Sequence, residues 1–174
     1  MLIKKEETKN DAYSELLIKK ETTVKDRLIK VLVIAVIVLA VLAGFMQPLA
    51  WLLALGAGIG AYFLFPNLDL EFEYVYVNGE LDIDKIMSKM KRKKVKSLDL
   101  SKMEIMAPVK SHRLDHQNHN SNLKVYDFSS GNQSHKIYAM IIPDDKELCK
   151  VLLEPDEELL KNIEKSCPRK VFTD

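Results

Sequence analysis

Glu71-Phe72-Glu73-Tyr74-Val75-Tyr76-Val77-Asn78-Gly79-Glu80-Leu81-Asp82-Ile83-Asp84-Lys85-Ile86 consists of two alternating apolar and polar runs around Asn-Gly. Asn and Gly tolerate the positive φ that a two-residue hairpin turn demands at both central positions, so the stretch predicts a β-hairpin. Such a turn sets Tyr76 opposite Leu81 and Tyr74 opposite Ile83 on one face, and gathers Glu73, Val75, Asp82 and Asp84 on the other. The two apolar sets match, which makes the register self-consistent.

Downstream, strand-like runs recur at 94–98, 102–107, 123–128, 136–142 and 147–153, with turn chemistry around Gly131 and at Pro143-Asp144-Asp145. The period then changes. Pro155 suits a first helical position, Asp156, Glu157 and Glu158 suit the positive end of the helix dipole, and Leu159, Leu160, Ile163 and Cys167 form a stripe that Pro168 ends. Residues 69–174 therefore predict a mainly antiparallel seven-strand β-barrel with a C-terminal capping helix, the element order of the pleckstrin-homology-like fold.

Upstream, no Asp, Glu, Lys or Arg occurs over the 38 positions 31–68. One straight helix of that length would reach about 57 Å, roughly twice the hydrocarbon thickness of a bilayer. Broken at Gln47-Pro48, the run gives two spans, 28–46 and 49–65, of a transmembrane helical hairpin covering 28–66. Gly56, Gly58 and Gly60, with Ala54, Ala57 and Ala61, are small enough to let the two helices approach closely. Residues 1–30 carry eight Lys and Arg, 85–96 carry seven, and the turn between the spans carries none, so both termini are expected in the cytoplasm. Cys149 and Cys167 would then lie in a reducing compartment, where a structural disulfide is not expected. The charged segment 1–27, with Tyr13, Leu16 and Leu17 ahead of Lys19 and Lys20, reads either as a frayed polar tail or as a short amphipathic helix on the lipid surface. The 174 residues balance 26 basic against 25 acidic side chains, and that near neutrality argues against a nucleic-acid partner.

Val77-Asn78-Gly79-Glu80-Leu81-Asp82-Ile83-Asp84-Lys85-Ile86-Met87, the run Lys91-Arg92-Lys93-Lys94, Met103-Glu104-Ile105-Met106-Ala107-Pro108, Lys124-Val125-Tyr126-Asp127-Phe128-Ser129-Ser130 and Pro168-Arg169-Lys170-Val171-Phe172 carry a resemblance. The chain resembles a family of small two-span membrane proteins of Gram-positive bacteria whose cytoplasmic domain is similar to bacterial pleckstrin-homology-like domains. The resemblance implies a multi-pass protein of the bacterial cytoplasmic membrane. It implies no activity and carries over no functional residue.

The basic run is the most informative candidate site. If the first strand leaves the bilayer at Asp69, the second returns toward it, and the next turn brings Lys89, Lys91, Arg92, Lys93, Lys94 and Lys96 to the lipid headgroups. The competing reading is an ordinary solvated hairpin tip. Glu71, Glu73, Asp82 and Asp84 read as a solvated outer face, or as the receiver of a basic partner, rather than as an acid/base pair. His112, His116 and His119, with Asp115, have a spacing that gathers a metal only on a helix, and their polar surroundings favour a solvated loop. His135 reads as a lone strand-edge residue. No phosphate-binding loop, nucleophile elbow or dinucleotide fingerprint is present, and no cofactor is expected. The reading is a membrane-anchored, non-enzymatic binding or scaffold module on the cytoplasmic face, engaging anionic lipid headgroups or a protein partner. Its alternatives are a subunit of a larger membrane complex or homo-oligomer, or a metal protein or enzyme using the His112/His116/His119 loop.

Overall fold

A computed structural model describes residues 13–118, 123–132, 134–144 and 147–173. Asn78 and Gly79 take φ values of 48° and 94°, the positive values that the tight hairpin requires. The strands they join pair Tyr76 with Leu81 and Tyr74 with Ile83, the register read from the sequence. All four of these side chains are fully buried.

In chain order the elements are β1 (Tyr13–Lys19), α1 (Val24–Met46), α2 (Ala50–Leu64), β2 (Leu70–Val77), β3 (Glu80–Met87), β4 (Lys91–Asp99), β5 (Ile105–Pro108), the single turn α3 (Asp115–Asn118), β6 (Lys124–Asp127), β7 (Tyr138–Asp144), β8 (Glu147–Leu153) and α4 (Glu157–Ser166). One sheet runs β1-β2-β3-β4, the other β5-β7-β8-β6. All pairings are antiparallel except β6 with β8. The expected seven-strand barrel is instead two open four-stranded sheets. The break falls between β4 and β5, where Asp99 accepts from Ser101 N at 3.1 Å and fixes a 3-10 turn, Leu100–Lys102. That turn occupies the start of the strand expected at 102–107 and carries the chain from one sheet to the other.

The main core lies between the sheets: Phe72, Tyr74 and Tyr76 meet Met140, Val151 and Leu153, and α4 contributes Leu159 and Ile163. The expected final helix is present, with Asp156 accepting from Leu159 N at 2.8 Å to cap it. A second, smaller core of Ala107, Leu114, Ala139 and Ile141 covers the opposite face of the β5-β7-β8-β6 sheet.

The N-terminal segment departs from expectation. Tyr13–Lys19 is an edge strand rather than a surface helix or a frayed tail, paired antiparallel to β2 from Tyr13↔Val77 to Lys19↔Glu71. Its period is two: Ser14, Leu16 and Ile18 turn inward while Tyr13, Glu15, Leu17 and Lys19 face out. The domain boundary at 69 shifts accordingly, because the β-domain is assembled from 13–19 and 70–173. Both helices sit within the connection between two neighbouring strands. Lys20 N donates to Leu70 O at 3.0 Å, so the chain leaves for α1 and returns from α2 side by side.

The two helices, Val24–Met46 and the stretch Ala50–Leu68 that includes α2, are long and apolar enough to cross a membrane. Thr23 N donates to Asp26 Oδ2 at 2.9 Å at the start of α1. The helices meet through Ala40 and Gly44 of α1 and Ala54 and Ala61 of α2, all buried. Gly44 is the one glycine here whose missing side chain matters, since a Cβ would lie 2.9 Å from Trp51 Cε2. Gly56, Gly58 and Gly60, expected to bring the helices together, have open space beside them.

Candidate functional site

β3 runs back from Asn78-Gly79 toward the end of α2, and the turn after it lies beside the start of β2. Ser88 N donates to Asp69 O at 2.9 Å, and Leu70 pairs with Met87. Ser88 and Lys89 have φ values of 47° and 57°, a left-handed conformation that residues with side chains adopt uncommonly. Met90 N closes the turn on Met87 O at 3.1 Å. Met90 is thereby held 87% exposed between Lys89 and Lys91. An apolar residue inside a basic run was legible in the sequence and was missed.

The run spans the Ser88–Met90 turn and β4, which begins at Lys91, three residues ahead of the strand expected at 94–98, and it splits. Lys89, Lys91 and Lys93 are without an ion pair among the described residues. Arg92, Lys94 and Lys96 are engaged. Arg92 Nε donates to Asp84 Oδ2 at 2.6 Å, and its Nη2 meets Glu73 Oε2 as a charge pair. Lys94 Nζ donates to Asp82 Oδ2 at 2.6 Å, and Ser97 Oγ donates to Asp82 Oδ1. Partial burial raises the Asp82 carboxyl, but the bonds from Lys94 and Ser97 outweigh it and hold the group below its ordinary value. The bond to Asp82 in turn pushes the Lys94 ammonium up. The outer face of the first sheet is thus zipped by its own edge strand. Glu71 and Glu73 are each only 7% exposed, which corrects the solvated-face reading: β1 pairs along both of them, and Arg92 covers Glu73 from the other side.

Lys96 goes elsewhere because of a bulge. Asp84 pairs with Lys94 but Ile83 with Lys96, so Val95 is the extra residue and the alternation reverses there. Lys96 reaches across to the second sheet, where it pairs with Asp144 and lies 4.3 Å from the centre of the Tyr126 ring. Burial opposes its charge, and Asp144 restores it, leaving the ammonium above its ordinary value. Arg92, Lys94 and Lys96 therefore hold the fold together; Lys89, Lys91 and Lys93 are the part of the run still presented outward.

The histidines do not form a metal centre among the described residues. His112 Nδ1 lies 3.6 Å from Asp115 Oδ2 with its side chain 99% exposed, His116 is exposed, and His119 lies outside the described residues. The segment 112–118 is wound into helical turns rather than a loop, anchored by buried Leu114. His135 is not a lone residue. Its Nδ1 lies 2.6 Å from Glu154 Oε1 and 3.3 Å from Ser130 Oγ. A serine–histidine–acid relay needs the serine and the acid on different ring nitrogens, whereas both approach Nδ1 here. The cluster instead fixes the loop after β6: Ser130 N donates to Glu154 Oε2 at 3.1 Å, and Tyr74 Oη donates to Phe128 O at 2.6 Å. Burial pushes the Tyr74 hydroxyl well above its ordinary value. The loop also grips the strand-to-helix linker, with Glu21 N donating to Ser130 O at 2.8 Å and Asn132 Nδ2 to Glu21 Oε1 at 2.8 Å.

No curated protein and no solved structure matches the chain. A family model described as a bacterial PH-like domain matches residues 10–173, a span that takes in β1, both apolar helices and all of the second sheet. One composite β-domain interrupted by a helical pair is what that match covers, and the chain belongs to this bacterial PH-like family.

Proposed function

We propose that the chain is a membrane-anchored, non-enzymatic binding or scaffold module, with α1 and α2 crossing the bilayer, both termini in the cytoplasm, and the segment Ser88–Lys93, a turn and the start of β4, resting on anionic lipid headgroups. The observation that carries this reading is the placement of Lys89, exposed Met90 and Lys91 next to the Ser88–Asp69 hydrogen bond, where the second apolar helix hands over to β2, with Lys93 following along β4. Each unpaired lysine near an anionic surface contributes about 1 kcal/mol of attraction, and an exposed methionine between them adds apolar area to bury at the interface. The hydrogen bond between Ser88 and Asp69 keeps this turn at a fixed height relative to the helix end.

The test uses the full chain, lacking Cys149 and Cys167, in lipid nanodiscs, with Met90→Cys carrying an environment-sensitive dye. Emission should shift to the blue in phosphatidylglycerol discs, less in phosphatidylcholine discs, and the difference should disappear in K89Q/K91Q/K93Q. Equal emission in both lipids, or an unchanged difference in the triple variant, would overturn the lipid contact. Labelling of a cysteine at position 5 or 174 from outside intact cells would overturn the orientation.

A further inference from the structure

We propose that the groove on the outer face of the second sheet is a docking site for an acidic peptide segment of a partner protein, one that alternates acidic with apolar side chains. The groove has a volume of about 530 Å³. Pro108, Val109, Ile137 and Leu152 line it and are half-buried. Val109 and Leu152 pack against the second core, so the groove floor continues that core past the point where Leu114 covers it.

The rim is cationic. Lys110 and Lys136 line it, and Lys110 also borders an adjoining depression of about 400 Å³ lined by Ser111, His112 and Arg113. The one carboxylate among the described residues of the groove lining, Asp127, accepts from Ser129 N at 3.0 Å and from Ser129 Oγ at 2.7 Å. Lys136 donates to a carbonyl, Thr173 O at 2.9 Å, and among the described residues it has no carboxylate partner. The excess positive charge above an apolar floor selects a ligand that brings both carboxylates and apolar groups. Two depressions joined through Pro108 and Lys110 make an elongated surface, which an extended chain fills better than a compact small molecule does. The site is separate from the Ser88–Lys93 segment, and neither proposal depends on the other.

The test titrates the full chain, in phosphatidylcholine nanodiscs, into a short fluorescein-labelled peptide of alternating glutamate and leucine, read by anisotropy. Saturable binding is expected, weakening with salt and falling by about tenfold or more in K110E/K136E. The milder K110M/K136M, which keeps the apolar stems, should show the same direction of change with an unchanged melting temperature. A glutamate–serine peptide should bind more weakly than the glutamate–leucine one, and a lysine–leucine peptide should not compete. Backbone amides at 108–110 and 134–137 should exchange more slowly in the complex. Equal binding by wild type and both variants overturns the proposal, as does equal binding of the leucine and serine peptides. So would full displacement by millimolar inorganic phosphate, which would mark a simple anion site, or loss of phosphatidylglycerol dependence in K110E/K136E, which would make the groove a lipid contact.

Discussion

Arg92 contacts two carboxylates at once, Asp84 beside it and Glu73 one strand further in, and this changes what the acidic row is. Glu73 and Asp84 are direct register partners, and like charges so placed repel each other. Without the guanidinium they would do so beneath a partly dry surface, where Asp84 Oδ1 already has no hydrogen bond. Arg92→Met should therefore destabilise the protein by about 1–2 kcal/mol, below the cost of breaking a fully buried pair because the Arg92 side chain is about half exposed. Adding Glu73→Gln to Arg92→Met should recover part of that loss, as measured by unfolding in mild detergent. The pH dependence of the neighbouring pair follows from its shifts. Asp82 lies below its ordinary 3.8, so its contribution is present above that value and is lost as pH falls through the lowered one. Lys94 lies above its ordinary 10.5, so its contribution is present below that value and is lost as pH rises through the raised one. The stability difference between wild type and Lys94→Met should be level from about pH 5 to 9 and shrink toward both extremes. A difference that grows on acidification would refute the assignment.

Among elements, legibility tracked how local the cause was. The β2–β3 hairpin was readable because Asn78-Gly79 and the apolar alternation both lie within sixteen residues, and α4 because its cap, stripe and Pro168 are contiguous. β1 was misread because Leu16, Leu17 and Ile18 are consecutive, which blurs the period of two, and because its partner lies beyond two helices. β4 was read as a strand only over 94–98, with 91–93 left to the preceding turn, since it offers no buried residue before Leu98; its face is set by carboxylates on other strands and by a bulge at Val95 that sequence spacing does not reveal. The helical pair shows the same limit. Its break at Gln47-Pro48 was legible, yet which small residues make the contact depends on helix rotation, and the answer is Gly44 rather than Gly56 or Gly60. Gly44→Ala should destabilise the pair by about 1–3 kcal/mol, because the new methyl meets the Trp51 ring. Gly56→Ala and Gly60→Ala, with open space, should be neutral or stabilising by up to about 1 kcal/mol through helix propensity. Unfolding of the full chain by titrating a denaturing detergent into mild micelles would separate the three, and equal losses would place the contact elsewhere.

At the scale of the whole molecule, the apolar helices are an insertion between two adjacent strands rather than a leader ahead of an independent domain. The candidate site inherits its position from this arrangement: because β1 and β2 pair up to the point where the helices depart, the sheet and the Ser88–Lys93 segment are registered against the helix ends instead of hanging on a tether. The sequence could place the basic run near a turn, but it could not show that half of the run is spent on internal ion pairs, since those partners are fixed only once four strands align. The insertion also dictates how the domain can be isolated. A fragment 69–174 lacks β1, which leaves the outer edge of β2 unpaired from Glu71 to Val77 and strips cover from Phe72 and α4, against which β1 packs. Exposed edges of this kind pair with other chains. Joining 13–21 to 68–174 through a short Gly-Ser linker should instead restore the sheet, since the ends to be joined already sit within one hydrogen bond of each other at Lys20 and Leu70 and closing so short a loop costs little entropy. The joined chain should be monomeric and unfold cooperatively, whereas 69–174 should bind the dye ANS, aggregate on concentration, and regain cooperative unfolding when a peptide of residues 13–21 is added in trans. If 69–174 alone unfolds as cooperatively as the joined chain and gains nothing from the peptide, β1 is not part of the domain, and the helices precede the domain rather than interrupt it.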